Sequence, residues 1–371
     1  MPAESSAPNQ PAVATAAKTG RVRLLADDLT GACDAGAAFL ADGREVRVWL
    51  EGRALYAARE PVQAFNTASR ALPAGEAAAA VARAAAAIEP DAGTILFKKV
   101  DSAGRGPIAA ELHAAMQAFG ARAVLLAPGF PAAGRTVRNG ILEVRDFSGQ
   151  KESVDLRALF PASMQDEIAL IARADEVAPV LHAGKTVLVC DSAAQEELNA
   201  LAHTAQGCSG LLYAGSAGLA RAIARLHGAA TQPAAQPRAM RVLLIVGTPH
   251  PVTRSQLEQL EKRVEAGGVP ERTGVETLRI ECGAGDEARV RKAFRALDPE
   301  ALILTGGDTA LFAAQALGAH SILLKGEFAA GIPWGTIEGG GAHGRTVVTK
   351  SGGFGAASAL NDLIAHLSGA A

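Results

Sequence analysis

The sequence predicts an α/β protein of two domains, each a mostly parallel sheet flanked by helices. Three observations carry that expectation. Apolar runs that end in small or polar residues alternate with Ala-rich stretches of helical spacing, the pattern of parallel strand–helix units. At 371 residues the chain exceeds what one hydrophobic core comfortably serves. The alternation stops at "HGAATQPAAQPRAM", residues 227–240, and then starts again.

Residues 1–20 hold an early Glu, several prolines and no continuous apolar stretch, so a disordered tail is expected there rather than a signal peptide. The first domain is placed at 21–228. Its strand candidates are "RVRLLADD", "TILFKKVD", "RAVLLAPG", "KTVLVCDS" and "GLLYAGS". Between them, "EAAAAVARAAAAIE" favours helix on propensity alone. "RTVRNGILEVRDF" sets Asn139-Gly140 between extended stretches, the signature of a hairpin. A linker is placed at 229–239 and a second domain at 240–371, where "RVLLIVGTPH", "TLRIE", "ALILTGGDT" and "TVVTKSGGFG" are the strands and strand ends.

The composition is 49% hydrophobic but only 4% aromatic, so the core must be mostly Ala, Val, Leu and Ile. A net charge of −2 with no basic block argues against nucleic acid, and no apolar run approaches the ~20 residues of a membrane span. Four scattered cysteines, Cys33, Cys190, Cys208 and Cys282, suit reduced thiols and a cytoplasmic protein.

Ligands of such sheets gather beyond the carboxyl ends of the strands. There the sequence places two adjacent carboxylates, Asp27 and Asp28. Helix capping by Asp28 or Thr30 explains one of them; a proton acceptor beside a substrate-orienting carboxylate explains both. A second strand end, "FKKVDSAGRGP", collects Lys98, Lys99, Asp101, Ser102 and Arg105, where an arginine can grip a carboxylate or phosphate with two parallel hydrogen bonds. Arg70, after "VQAFNT", is a further cation, and "GFPAAGRT" sets Arg135 and Thr136 in a Pro/Gly-rich loop. In the second domain, Gly306-Gly307-Asp308-Thr309 opens a helix whose N–H groups could cradle phosphate. Lys350 with Gly352, Gly353 and Gly355 forms another Gly-rich turn, and "VGTPHPVT" adds Thr248 and His250, the latter equally explicable as a helix cap. There is no G-x-x-x-x-G-K-[ST] loop, and no strand is followed by G-x-G-x-x-G. "AGSAG" at 214–218 has the outline of a nucleophile elbow but shows no histidine or acid partner.

Taken together and in order, "ADDLTGACDAGAAF", "KKVDSAGRG", "GFPAAGRT", "GSAGLA", "TGGDTA" and "TKSGGFG" resemble the four-carbon acid sugar kinase family from about Arg21 onward. The resemblance implies an N-terminal domain for a small sugar acid and a C-terminal domain for ATP, with Mg²⁺ bridging its phosphates and the active site in the cleft between them. It implies transfer of the γ-phosphoryl group to the terminal hydroxyl of erythronate, threonate or a 3-oxo-tetronate. Asp27, Asp28, Arg70, Lys98, Lys99, Asp101, Ser102 and Arg105 become substrate-side candidates, with Asp28 or Asp27 as base. Thr248, His250, Gly306, Gly307, Asp308, Thr309, Lys350, Gly352, Gly353 and Gly355 become nucleotide-side candidates; the metal ligands stay unknown. Two stretches depart from the family pattern: Ala103-Gly104 replaces Thr-Leu, and "GTPHPVT" replaces a serine-rich loop. A non-catalytic sugar-acid-binding protein and, further off, a dinucleotide-dependent oxidoreductase are the alternatives. Homo-oligomerisation stays open.

Overall fold

The computed structural model describes residues 20–42, 44–51, 59–91, 93–145, 149–226, 234–267 and 274–370. The expected tail therefore lies outside the described residues except for Gly20, as does 229–233 of the expected linker.

The strands of the first half are β1 (Val22–Ala26), β2 (Val46–Trp49), β3 (Val62–Asn66), β4 (Ile95–Lys99), β5 (Ala123–Ala127), β6 (Arg135–Arg138), β7 (Ile141–Arg145), β8 (Lys151–Asp155), β9 (Ile168–Ile171), β10 (Val187–Cys190) and β11 (Leu211–Gly215). Those of the second are β12 (Arg241–Val246), β13 (Gly274–Arg279), β14 (Ala301–Thr305), β15 (Ser321–Ala329), β16 (Ile332–Glu338) and β17 (Thr346–Lys350). Among the described residues they build one 14-stranded sheet, in the order β13-β12-β14-β17-β16-β15-β2-β3-β1-β4-β11-β5-β10-β9, and a small sheet β6-β7-β8. The first eight-strand stretch, β2 through β9, is parallel throughout, as is β13-β12-β14-β17. Central strands such as β5 and β14 are buried along their whole length, as strands covered on both faces must be.

The sequence did not announce how the halves join. The antiparallel hairpin β15-β16 pairs β17 on one side and β2 on the other, with Ser321–Leu324 running against Val46–Trp49. Helix Leu29–Ala37 sits across this seam. All nine of its residues are buried, and it packs on helices Ala217–Arg225 and Gly307–Ala316 and on β2 and β15. Its Ala- and Gly-rich sequence allows that approach: Gly36 leaves room for Val46, Val48 and Leu324.

Asn139 and Gly140 take φ values of +50° and +74°, the two left-handed residues a tight hairpin turn needs. The small sheet they open leans on the turn after β4. Gly104 there has φ +75°, and a side chain at that position would press on Val154 and Leu142. The departure from Leu at position 104 thus goes with the packing of the small sheet.

Candidate active site

The carboxyl ends of β1 and β4 meet those of β12, β14 and β17 around a cleft of about 710 Å³. Its walls include Asp28, Arg70, Lys99, Asp101, Ser102 and Arg105 from the first half. From the second come Thr248, His250, Gly306, Gly307, Asp308, Thr309, Gly352 and Gly353. Val144 and Glu152 of the small sheet close one side.

Strand alternation separates the two aspartates. Asp28 lines the cleft, whereas Asp27, only 1% exposed, lies behind it and accepts two hydrogen bonds from Arg70, Nε to Oδ2 at 2.7 Å and Nη2 to Oδ1 at 2.9 Å. The remaining Arg70 arm donates to Asp28 Oδ2 at 2.7 Å. One guanidinium thus bridges both carboxylates and, with Lys99 acting on Asp28 as well, lets like charges sit side by side in a buried place. Asp28 also caps helix Leu29–Ala37, accepting from Gly31 N at 2.7 Å and from Thr30 Oγ1 at 2.9 Å. Capping and cleft placement are both realised in this one side chain. Burial pushes its carboxyl up, but Arg70, Lys99 and Thr30 more than offset that and hold it below the usual carboxylate range, ionised at neutral pH.

Alternation also separates the two lysines. Lys99 lines the cleft, with Nζ donating to Val100 O at 2.8 Å. Lys98 does not reach it, a correction to the expected substrate contact: its Nζ lies on the other face of the sheet, paired at 3.0 Å with Glu111, which also accepts from Ser69. Asp101 gathers the next turn, accepting from the N–H groups of Ala103 and Arg105 and from two nitrogens of the Arg105 side chain, at 2.7 and 2.8 Å. Burial raises the Asp101 carboxyl, yet Arg105, Arg70 and Lys99 outweigh it and leave it far below its ordinary value. Arg105 itself is 62% exposed at the cleft mouth while paired with Asp101. The GFPAAGRT loop contributes Arg135, buried, lining the cleft and stacked 4.9 Å over the Phe354 ring. The loop had pointed to it; its neighbours in space come from the far end of the chain.

On the opposite wall, the N-terminus of helix Gly307–Ala316 opens onto the cleft. Gly307 lies directly against Asp28: a Cβ there would stand 2.9 Å from Asp28 Cγ and 3.0 Å from its Cβ, and nearer still to Oδ2. The turn after β17 abuts the turn after β12, where a Cβ on Gly352 would meet Thr248 Oγ1 at 2.6 Å. His250 caps helix Pro251–Glu265, its Nδ1 accepting from Val252 N at 3.2 Å, and faces the cleft as well. Lys350 and Gly355, expected at the nucleotide, lie beneath the turn and not on the cleft wall. Lys350 Nζ, fully buried, donates to Thr253 Oγ1, Ser351 O and Phe354 O, and Gln256 binds the Phe354, Gly355 and Ala356 carbonyls. Burial lowers the Lys350 ammonium to about 7. Ser351 Oγ, donating to Thr30 Oγ1 at 2.9 Å, ties this turn to the first half.

Ser216 of the elbow-like "AGSAG" caps helix Ala217–Arg225 and donates to Gly129 O at 2.8 Å, which accounts for it structurally. Among the described residues no cluster of three His, Cys, Asp or Glu could hold a metal by itself, and no helix is long and apolar enough to cross a membrane.

Comparison with known proteins agrees with this geometry. Residues 22–223 match the family model for a "Sugar-binding N-terminal domain" and residues 272–360 that for a "Nucleotide-binding C-terminal domain". The D-threonate kinase of Bordetella bronchiseptica is 31% identical, over 90% of this chain and 94% of that protein. The D-threonate kinase of Salmonella typhimurium is 28% identical, over 93% and 97%, and the D-erythronate kinase of Heliobacterium modesticaldum 25%, over 93% and 97%. A Haemophilus influenzae protein of solved structure superposes with a TM-score of 0.64 over 93% of this chain and all of its own, at 18% identity, a likeness of fold. With both halves matched in order and the cleft formed where they meet, the chain belongs to the four-carbon acid sugar kinase family.

Proposed function

We propose that the protein is an ATP-dependent kinase that phosphorylates the terminal hydroxyl of a four-carbon sugar acid, threonate or erythronate in type. The observation that carries this reading is the contact of Asp28 with Gly307, which sets an ionised carboxylate of the sugar-side half at the N-terminal mouth of the phosphate-side helix. A hydroxyl bound at Asp28 would face a phosphate held at that helix start.

The residues present suit a nucleotide. Gly307, Asp308 and Thr309 open a helix at the cleft wall, and the Gly352-Gly353 turn packs so closely on Thr248 and His250 that a side chain at either glycine would clash with them. For Mg²⁺ the donor set is sparse. Asp308, on the cleft wall, is the carboxylate that would share it with phosphate oxygens and water, as Mg²⁺ prefers. Bound there, ATP–Mg²⁺ supplies the phosphoryl group and the charge neutralisation that its transfer requires.

The chain's own residues do the rest. Asp28 would orient the attacking hydroxyl and accept its proton as that oxygen bonds the γ-phosphorus and the bond from phosphorus to the departing ADP breaks. Because Asp28 is a weak base, the proton moves late, once the hydroxyl oxygen has begun to bond and become acidic. Arg70 does not hold substrate in this scheme; it fixes Asp28 and Asp27. Lys99, Arg105 and Arg135 are cations on the cleft wall that would meet the sugar acid's carboxylate, with Ser102 on the same wall. Small-sheet residues and the second half wall the site from water, the competing acceptor.

The test is ADP release coupled to a panel of D- and L-threonate and erythronate with ATP–Mg²⁺. Turnover of at least one of these acids, well above ATP hydrolysis alone, is expected. Hydrolysis that none of them accelerates would remove the proposal.

A further inference from the structure

Helix Leu29–Ala37 carries a second carboxyl on the cleft wall. Asp34 is 5% exposed, and its Oδ1 is buried without a partner; no hydrogen bond or ion pair to Asp34 is found among the described residues. Natural proteins rarely leave a buried carboxyl oxygen unmatched, because desolvation without a hydrogen bond is costly. Four charged groups surround it: Lys99 from β4, Arg221 from helix Ala217–Arg225, Glu327 from β15, and Asp28 from its own helix. Arg221 is already engaged, donating to both Glu327 carboxylate oxygens at 2.8 and 2.7 Å. Burial, only partly countered by Lys99, raises the Asp34 carboxyl to about 7, so near neutrality much of it is protonated and can donate as well as accept.

Its distance from Asp28 fixes what it could meet. Six residues along a helix is about 9 Å of axial rise. If Asp28 takes the terminal hydroxyl, as the proposed function has it, a four-carbon acid reaching along the helix brings its other end toward Asp34, near Lys99. We propose that Asp34 is a specificity-determining residue that hydrogen-bonds the substrate's 2-hydroxyl, next to the carboxylate held by Lys99. D-Threonate and D-erythronate differ in configuration at that carbon alone. Asp34 therefore sets which epimer this enzyme prefers.

The inference rests on the proposed sugar-acid kinase activity, and one experiment separates their failures. Steady-state kinetics would compare wild type, Asp34→Ala and Asp34→Asn on D-threonate, D-erythronate and 3,4-dihydroxybutanoate, which lacks the 2-hydroxyl, with calorimetric binding of each acid to wild type. For Asp34→Ala, kcat/KM on the preferred epimer should fall about 10- to 100-fold, as for loss of a buried polar contact, mainly through KM. The same variant should act on 3,4-dihydroxybutanoate within about twofold of wild type, and the KM for ATP should stay put. Asp34→Asn, nearly the same shape and able to donate and accept, should recover much of the epimer ratio; should the Ala variant fail to fold, its ratio against 3,4-dihydroxybutanoate decides. An equal loss on all three acids, or an unchanged epimer ratio, would overturn the role of Asp34 alone. Absence of binding and turnover with every acid in the wild type would overturn it together with the function.

Discussion

Adding a single carbon to Gly307 perturbs the contact on which the proposed chemistry depends. In Gly307→Ala the new methyl would stand 2.9 Å from Asp28 Cγ, against the ~3.5 Å or more at which carbons rest. The obstacle cannot rotate aside, because Asp28 is held by Arg70, Thr30 and Gly31. Either those bonds break or the helix start retreats by roughly 1 Å, a misplacement that can cost 10²-fold in rate. Overpacking of this size costs about 1–3 kcal/mol, which for a chain of this length lowers Tm by about 1–4 °C. Stopped assays of turnover and a melting curve measure both. Gly75→Ala, in an Ala-rich helix with nothing within 4 Å of the added carbon, is the matched control and should gain up to about 1 kcal/mol without touching turnover. If Gly307→Ala keeps wild-type turnover and Tm, the two halves do not meet as described, and the proposed arrangement fails.

Three more outcomes are expected. Asp28→Asn keeps the acceptor for Gly31 N–H and so the helix cap, but should cut kcat by about 10²–10⁴-fold while nucleotide affinity by fluorescence titration survives; turnover within tenfold of wild type would dismiss Asp28 as the base. Glu111→Leu strands the buried Lys98 ammonium and should cost about 3–5 kcal/mol in urea unfolding, with both KM values unmoved in the folded fraction; a change in sugar-acid KM would restore Lys98 to the site. Asp34→Asn should alter the pH dependence of stability. The folded-state value is raised from 3.8 to about 7, so the native state holds the proton more tightly and the wild type loses stability as pH climbs from about 4 through 7. At ~1.4 kcal/mol per unit the effect is at most about 4 kcal/mol. The variant should therefore gain on the wild type between pH 4 and 8, and parallel Tm–pH curves would contradict the buried, protonated state.

Much of this was legible from residue order. The parallel strands announced themselves as apolar runs with polar ends, and Asn139-Gly140 as a turn, because both signals are local. β2, β15 and β16 gave no such notice. Val46–Trp49 is a four-residue strand whose partner lies some 270 residues away, and a pairing that distant leaves no mark on either segment. The same limit divides the site. Strand-end loops pointed to Asp28, Lys99, Arg105 and Gly307, but the faces taken by Lys98 and Lys99, or by Asp27 and Asp28, depend on register with neighbouring strands. Arg70 read as a cation awaiting an anion, but that Asp27 and Asp28 both accept from it shows only in three dimensions. Asp34 escaped notice because in one dimension it is merely polar within an Ala-rich helix; its isolation exists only once β4, β15 and helix Ala217–Arg225 surround it.

The seam of β2 with β15 has a consequence for anyone who would take the molecule apart. A conventional two-lobed enzyme opens about its connecting peptide and can be cut there into independent pieces. Here the lobes are stitched through backbone hydrogen bonds as well as through the connecting peptide, so the cleft must gape by flexing the sheet along its length. Fragments severed within 227–240 would each bear a freshly bared strand, a template for unwanted β-pairing and precipitation, and co-expression rather than separate purification is the way to obtain them.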